Sequence, residues 1–410
     1  MRRYAGITLS LTCCTILLAC APTPERKKDE PVMTLNGKGY ESETFAQEQV
    51  IREYWSHGDD NLNIVLHTPS LPGQFPLIIY LAGLGDTAEN AARLQSAWAQ
   101  SGYAVLSIQL PRFGPAALAG QGPDGNRHEI AARAYATDAL QLRLATLDWA
   151  VQELTRRQQD KSPANEPFAH IDTRQIVVTG FDLGAQTAQA LGGESMGKLQ
   201  LPAHLAGLQG LILLSPYAGF SGETVQTRYQ AMNLPTLTVS SPEDVDPFDW
   251  IPNPGMHRLV FDHMPAGSKY HLELSYASHG IIGGGSDHPL TDDGARKNAD
   301  KDDKGKSGGR GRGGPGGPGG DGPGGGGPGG DGPGKGGPGG GRDKGGPGGI
   351  GSGEHEPMPK AAGQEDQLTA LCAVTLAFLD TTLRHDDIAS QWLYRDANRW
   401  LKQSGSLYLR

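Results

Sequence analysis

The residue with the clearest chemical potential is an aspartate that lies between a predicted strand and a predicted helix. Residues 175–178 form a short, mostly β-branched run that predicts a buried strand, and the stretch 186–191, rich in small residues, predicts a helix. Between them stands Asp182, with Gly180 and Gly184 permitting a tight turn that projects the central side chain into a cleft. A carboxylate held there can act as a nucleophile or as a base, or it can be what remains of a lost site.

The rest of the chain predicts a framework of strands and helices that would position this turn. Two segments of alternating apolar and polar residues, 49–55 and 62–68, predict an antiparallel hairpin. Strands and helices then alternate, so the sequence predicts an α/β fold with a doubly wound, mostly parallel sheet and an antiparallel N-terminal edge. The further predicted strands are 76–81, 103–108, 208–214, 234–239 and, as the last, 270–274; the predicted helices are 88–101, 130–157, 364–383 and 392–401.

A long low-complexity segment interrupts this framework. The chain of 410 residues contains 60 Gly and 29 Pro, and most of this excess lies in residues 284–363. No uninterrupted Gly-X-Y repeat survives there, which excludes a collagen helix, so we predict a flexible, disordered insertion. The chain has a net charge of −9 and so lacks the excess of basic residues that is typical of nucleic-acid-binding proteins. No nucleic-acid partner is expected.

The N-terminus predicts a targeting segment and a membrane anchor. Residues 1–19 carry Arg2 and Arg3 before an apolar stretch that is too short to span a bilayer, and Cys20 follows Leu-Leu-Ala. This pattern resembles a bacterial lipobox, which implies lipidation of Cys20 and a location in the bacterial cell envelope, at the outer membrane. The alternative is an ordinary secretory signal in which Cys20 has no role. Residues 20–46 are predicted to tether the domain to the membrane.

Five segments of the chain follow one another in the order found in a known enzyme family. They are PLIIYLAGLG at 76–85, IDTRQIVVTGFDLG at 171–184, SPEDVDP at 241–247, ASHG at 277–280 and AFLD at 377–380. Together they resemble the dienelactone-hydrolase and platelet-activating-factor-acetylhydrolase-like branch of the α/β-hydrolases. The resemblance covers residues 47–283 and 364–410, and it implies one α/β-hydrolase domain that is interrupted by the Gly/Pro-rich insertion.

The resemblance implies a role for each residue of the site. It places the nucleophile at Asp182, where the family usually carries Ser, and the base at His279. The orienting acid falls at Asp244, with Asp246 as the alternative; a turn-forming role for Asp244 is the other interpretation. A carboxylate beside His279 would stabilise the imidazolium, so we expect a raised pKa for this histidine.

The resemblance also implies an oxyanion hole and a pocket. The oxyanion hole would consist of the backbone N–H groups of Leu84 and Leu183, and the loops 112–126 and 248–257 are expected to shape the pocket. The family usually carries His-Gly where this chain has Ala82-Gly83, a departure that affects the support of the turn. No cofactor is predicted, and no metal site either, because the histidines do not stand at paired ligand spacings.

Asp in place of Ser changes the chemistry that the site could perform. A carboxylate that attacked an ester would give a mixed anhydride, whereas attack at saturated carbon gives an alkyl ester that an activated water can open. Enzymes of this fold with an Asp nucleophile commonly place Trp next, and this chain has Leu183 there. The sequence therefore predicts a lipoprotein hydrolase for an ester- or alkyl-type substrate, small or lipid-like. Two alternatives stay open: Asp182 as a base for direct water attack, and an inactive hydrolase-fold lipoprotein with a binding or structural role.

Overall fold

The computed structural model of the protein describes residues 39–42, 47–119, 126–195, 205–219, 224–285 and 360–410. The predicted signal peptide, Cys20, most of the tether and nearly all of the predicted insertion lie outside these residues. In the part of the chain that is described, no helix is both long enough and apolar enough to cross a bilayer.

In the described part of the chain, nine strands form one sheet with a parallel centre. The strands are β1 Glu48–His57, β2 Asp60–Pro69, β3 Phe75–Leu81, β4 Ala104–Gln109, β5 Ile171–Phe181, β6 Leu208–Leu214, β7 Thr236–Ser240, β8 Lys269–Leu274 and β9 Gly405–Leu409. Their order in the sheet is β1-β2-β4-β3-β5-β6-β7-β8-β9. The pairs β1–β2, β2–β4 and β8–β9 are antiparallel, and the other five are parallel. The predicted α/β architecture and its antiparallel N-terminal edge are confirmed.

Helices cover both faces of the sheet, which explains why its central strands are apolar on both sides. The helices are α1 Ala92–Gln100, α2 Arg127–Ala134, α3 Thr137–Gln159, α4 Leu183–Leu191, α5 Val225–Arg228, α6 Leu259–His263, α7 His279–Ile282, α8 Lys360–Leu379, α9 Asp387–Gln391 and α10 Ala397–Leu401. π-Helical turns at Asp380–Arg384 and Trp392–Asp396 connect α8, α9 and α10. In β3, Ile78 and Tyr80 pack into the core layer under α1 and α8, whereas Leu77 and Ile79 pack into the layer under α3 and α4.

The prediction of one helix over residues 130–157 is wrong at its start. The chain forms α2 and α3, separated at Tyr135 and Ala136, and Ala136 has extended backbone angles of φ −60° and ψ 155°. The break lets the side chain of Tyr135 turn inward toward Asp182, to which it is hydrogen-bonded. The interruption of the helix therefore coincides with a tertiary contact between Tyr135 and Asp182.

The prediction of residues 270–274 as the last strand is also wrong. The C-terminal residues add β9, which pairs antiparallel with β8 from Gly405 opposite Leu274 to Leu409 opposite Tyr270. Leu407 is buried and its two neighbours are exposed, the alternation expected of an edge strand that packs on one face.

Part of the predicted tether packs on the domain. Tyr40 is 8% exposed, its hydroxyl donates to Asp380 Oδ2 at 2.7 Å, and its ring lies 5.6 Å from that of Trp392. Tyr103 and Arg384 bind the same Asp380 carboxylate. The packed chain therefore includes residues before Gln47, where the domain was predicted to begin.

Candidate active site

The carboxyl ends of the parallel strands bring together three of the predicted residues. Asp182 follows β5, Asp244 follows β7, and His279 opens α7 after β8. All three side chains are buried, at 5%, 0% and 3% exposure respectively. Because neighbouring parallel strands end at one edge of the sheet, residues far apart in sequence meet here.

Asp182 occupies a strained turn. Its backbone angles are φ 50° and ψ −111°, a combination that residues other than glycine rarely adopt, and α4 begins at the next residue. A Cβ on Gly180 would lie 2.2 Å from the carbonyl oxygen of Gly184, and one on Gly184 would lie 2.1 Å from that of Leu81. Both glycines are needed because strand, turn and helix approach one another too closely for any side chain there.

Both carboxylate oxygens of Asp182 accept hydrogen bonds. The backbone N–H of Leu84 donates to Oδ2 at 3.1 Å, and the hydroxyl of Tyr135 donates to Oδ1. Leu84 is one of the two predicted oxyanion-hole donors, so in this conformation the aspartate itself occupies that donor. Leu183, the second predicted donor, stands at the first position of α4, directly after Asp182.

Asp244 is the acid that holds His279. The Nδ1 atom of His279 lies 2.7 Å from Asp244 Oδ1, and the hydroxyl of Ser215 donates to Oδ2 at 2.7 Å. Burial alone would raise the pKa of Asp244, but the nearby His257 and His279 and the Ser215 bond hold it below its usual value. Burial alone would lower the pKa of His279, but the bond to Asp244 outweighs it and raises that pKa to about 9. The expected rise in the pKa of His279 is thus found, and Asp244 contributes more to it than Asp182 does.

Asp246, the alternative acid, organises a loop instead. Its carboxylate accepts backbone N–H bonds from Phe248 at 2.8 Å and from Trp250 and Ile251 at 2.7 Å. Burial, followed by the charge of Asp182, raises the pKa of Asp246 in spite of these bonds. Of the two acids that sequence reasoning left open, Asp244 is therefore the partner of His279.

An aromatic cover lies over the site. The ring of Tyr135 stacks 4.5 Å from that of Tyr217 and 5.7 Å from that of Trp250. These residues belong to an apolar cluster with Leu84, Leu183, Phe113 and Phe248, drawn partly from the two loops that were expected to shape the pocket. In this conformation the cover buries Asp182, so a substrate would need the cover to move.

Sequence reasoning missed four polar residues around these groups: Tyr135, Ser215, His257 and Asp86. Asp86 follows the turn that carries Leu84, and it accepts a side-chain bond from Asn90. Burial raises its pKa to about 7, although the nearby His279 opposes this effect. The position of Asp86 after a Gly-Leu-Gly turn was visible in the sequence; the other three reach the site only through long-range packing.

A cavity of about 30 Å³ lies next to α4. The guanidinium of Arg143 lines it and binds Thr187 Oγ1 at 2.9 Å, the carbonyl oxygen of Ala134 at 2.5 Å, and Gln186. Burial lowers the pKa of Arg143 to about 10. The cavity is large enough for one or two water molecules, and it adjoins Leu183 and Gly184.

Within the described part of the chain, no group of three or more His, Cys, Asp or Glu side chains is arranged to hold a metal ion. Comparison with known proteins adds no assignment: no family model matches the chain, and no protein of curated function matches it. The geometry of the site consists of a strained aspartate, a backbone donor on one of its oxygens, and a histidine–aspartate pair.

Proposed function

We propose that this protein is a hydrolase of the α/β-hydrolase fold, with Asp182 in place of the usual serine and with His279 and Asp244 as its base and orienting acid. The observation that carries the proposal is the environment of Asp182: a strained turn after a parallel strand, with Leu84 N–H on one oxygen. The strand order and the bond between His279 and Asp244 support it further. The resemblance to the dienelactone-hydrolase-like branch is consistent with these features.

The chemistry that suits this arrangement is displacement at a saturated carbon. Asp182 Oδ1 forms a bond to that carbon while the bond to the leaving group breaks, and Oδ2 stays on Leu84 N–H. Water then attacks the carboxyl carbon of the resulting ester, and His279 takes the water's proton. The negative charge that develops on Oδ2 in this second step falls on a donor that is already in place. The bond between the carboxyl carbon and the ester oxygen then breaks, the alcohol leaves with the proton that His279 took up, and the oxygen of the water remains in Asp182.

The protonation of His279 limits the second step. Its pKa of about 9 means that the imidazole is mostly charged at neutral pH and can accept a proton only in the minor neutral form. We therefore expect the hydrolysis of the ester intermediate to accelerate as pH rises toward about 9. The imidazolium form, in contrast, can donate a proton to a departing alkoxide in the first step.

Isotope transfer tests this function directly. The wild-type protein is incubated in heavy-oxygen water with a panel of esters, epoxides and haloalkanes, and the peptide that contains Asp182 is then weighed. Heavy oxygen in Asp182 after turnover is the expected result. Turnover that survives Asp182→Ala would place the chemistry elsewhere, and label without turnover would indicate simple exchange.

A second candidate function is that of a non-catalytic binding or structural protein on the cell surface. It is favoured by the occupied Leu84 donor and by the burial of Asp182 beneath Tyr135, which leave the carboxylate satisfied without a substrate. The exchange Asp182→Ser separates the two candidates. A wild type without turnover whose serine variant hydrolyses esters would identify a degenerate serine hydrolase and overturn the enzyme proposal.

The cellular location is proposed from the sequence of the N-terminus. Lipidation at Cys20 would anchor the domain to the outer membrane of a bacterial envelope. Metabolic labelling with a radioactive fatty acid should mark the wild-type chain and not Cys20→Ser, and only the wild type should sediment with membranes. Equal sedimentation of both would contradict the anchor.

A further inference from the structure

The Asp244 carboxylate has a second histidine beside it. His279 Nδ1 lies 2.7 Å from Oδ1, whereas His257 Nε2 lies 3.5 Å from Oδ2, which also accepts the Ser215 hydroxyl bond at 2.7 Å. His257 is 2% exposed, and it sits in a short 3₁₀ helix, Pro254–Arg258, that packs against β7. One buried carboxylate is therefore shared by a hydroxyl and two imidazoles.

The bond at the other ring nitrogen fixes the tautomer of His257. Its Nδ1 lies 2.9 Å from the carbonyl oxygen of Pro216, and because a carbonyl only accepts, Nδ1 carries the hydrogen. In the neutral ring Nε2 then bears a lone pair, and this atom is buried without a hydrogen-bond partner among the described residues. A lone pair beside a carboxylate oxygen is unfavourable, whereas a proton on Nε2 would turn the same contact into a charge-assisted hydrogen bond.

We propose that His257 is a positioning residue of the site, which shares Asp244 with His279 and binds a proton at Nε2 less tightly once His279 is charged. Two imidazolium ions on one carboxylate repel each other, so each proton is bound less tightly when the other is present. The inference rests on the proposed role of His279, but its test needs no substrate.

Few other charges face His257. Arg258 is its neighbour in the chain, and that guanidinium is paired with Glu273 on β8 at 3.4 Å and with Asp262 on α6 at 3.3 Å. His271 on β8 has a pKa lowered to about 3, first by burial and then by the charges of Arg258 and His257, so it stays neutral. The main charged partners of His257 are thus Asp244 and, through it, His279.

Nitrogen NMR of the full-length chain tests the proposal. Histidine is labelled with ¹⁵N, and the two ring nitrogens of His257 and His279 are followed from alkaline to acidic pH. We expect His279 to protonate first, and both nitrogens of His257 to carry hydrogen after a second, more acidic step. The His279 signals should move a second time at that same midpoint, because the two rings share Asp244.

Three variants separate this coupling from a structural role. In His279→Gln the titration midpoint of His257 should rise by about one unit or more, since His257 then has Asp244 to itself. In His257→Gln the second movement of the His279 signals should disappear, because a glutamine can donate to Asp244 but does not titrate. His263→Gln, on α6, is the matched control and should leave both steps unchanged.

Two results would overturn the proposal. One is a His257 Nε2 that stays unprotonated down to the pH at which the chain unfolds. The other is a His257 midpoint that is the same in wild type and in His279→Gln, which would leave His257 a purely structural residue. Neither outcome depends on turnover, so a failure here is distinct from a failure of the hydrolase proposal.

Discussion

Replacing Asp244 with Asn should remove most of the pH dependence of stability that His279 contributes. The pKa of His279 is raised from 6.5 to about 9 in the folded protein, mainly by its bond to Asp244 against the opposing effect of burial. Since one unit of pKa corresponds to about 1.36 kcal/mol, the pairing contributes about 3 kcal/mol to folding. Because the folded pKa is the higher one, this stability is fully present below pH 6.5 and is lost as pH rises through about 9.

The measurement is the free energy of unfolding in guanidinium chloride at pH 6 and at pH 9.5. Asp172→Asn is the matched control, because its carboxylate is held by Arg174 at 2.9 Å, away from the site, and its pKa is lowered out of this range. Wild type and control should each lose the His279 contribution between the two pH values, about 3 kcal/mol, whereas Asp244→Asn should lose much less. Parallel pH curves for wild type and Asp244→Asn would refute the reasoning.

Three further changes test the fold around the site. Tyr40→Ala removes a buried ring and its hydroxyl hydrogen bond and should lower the free energy of unfolding, measured with denaturant, by about 3 kcal/mol. Tyr54→Ala changes a side chain that is 76% exposed and should lower it by less than about 0.5 kcal/mol. Gly184→Ala places a Cβ 2.1 Å from a β3 carbonyl and should prevent soluble expression, unlike Gly363→Ala, which meets nothing within 4 Å. Replacing residues 286–359 by a short Gly-Ser linker should leave the melting temperature within a few degrees, because both flanks of the segment contact α1; a large loss would show that the segment is needed for folding.

The parts of the fold that could be predicted are those in which local composition decides the structure. Strand β3 is apolar on both faces and ends in a glycine turn, so its position follows from the residues themselves. Strand β9 is different, because its five residues form a strand only by pairing with β8 and by burying Leu407. The break between α2 and α3 could not be predicted either, since the contact of Tyr135 with Asp182 that accompanies it spans 47 residues.

The candidate site, too, could be predicted from the sequence only in part. The positions of Asp182 and His279 follow from the strands that precede them, because residues after parallel strands converge at one edge. The choice between Asp244 and Asp246 does not follow from the sequence. The two carboxylates stand only two positions apart in one loop, and the loop conformation decides which one reaches the imidazole and which one accepts bonds from backbone N–H groups. His257 could not be assigned to Asp244 from the sequence, because its placement depends on how a 3₁₀ helix packs against β7.

The carboxylate of Asp182, in the turn between β5 and α4, is stabilised by contacts that also limit its reactivity. A buried carboxylate needs donors, and Leu84 N–H and the Tyr135 hydroxyl supply them to Asp182. In the proposed displacement step charge would leave Asp182 for the departing group, so both bonds would stabilise the starting state and slow the attack. In the proposed second step charge would return to Oδ2, where the Leu84 N–H group can stabilise it. We therefore expect the alkyl–Asp182 ester to be invisible by mass spectrometry in wild type at about pH 9.5, where the imidazole of His279 is mostly neutral, but to accumulate in His279→Gln, which retains the proposed nucleophile and lacks the proposed base. An ester that accumulates in wild type at that pH would mean that attack is the faster step and that these donors do not restrain it.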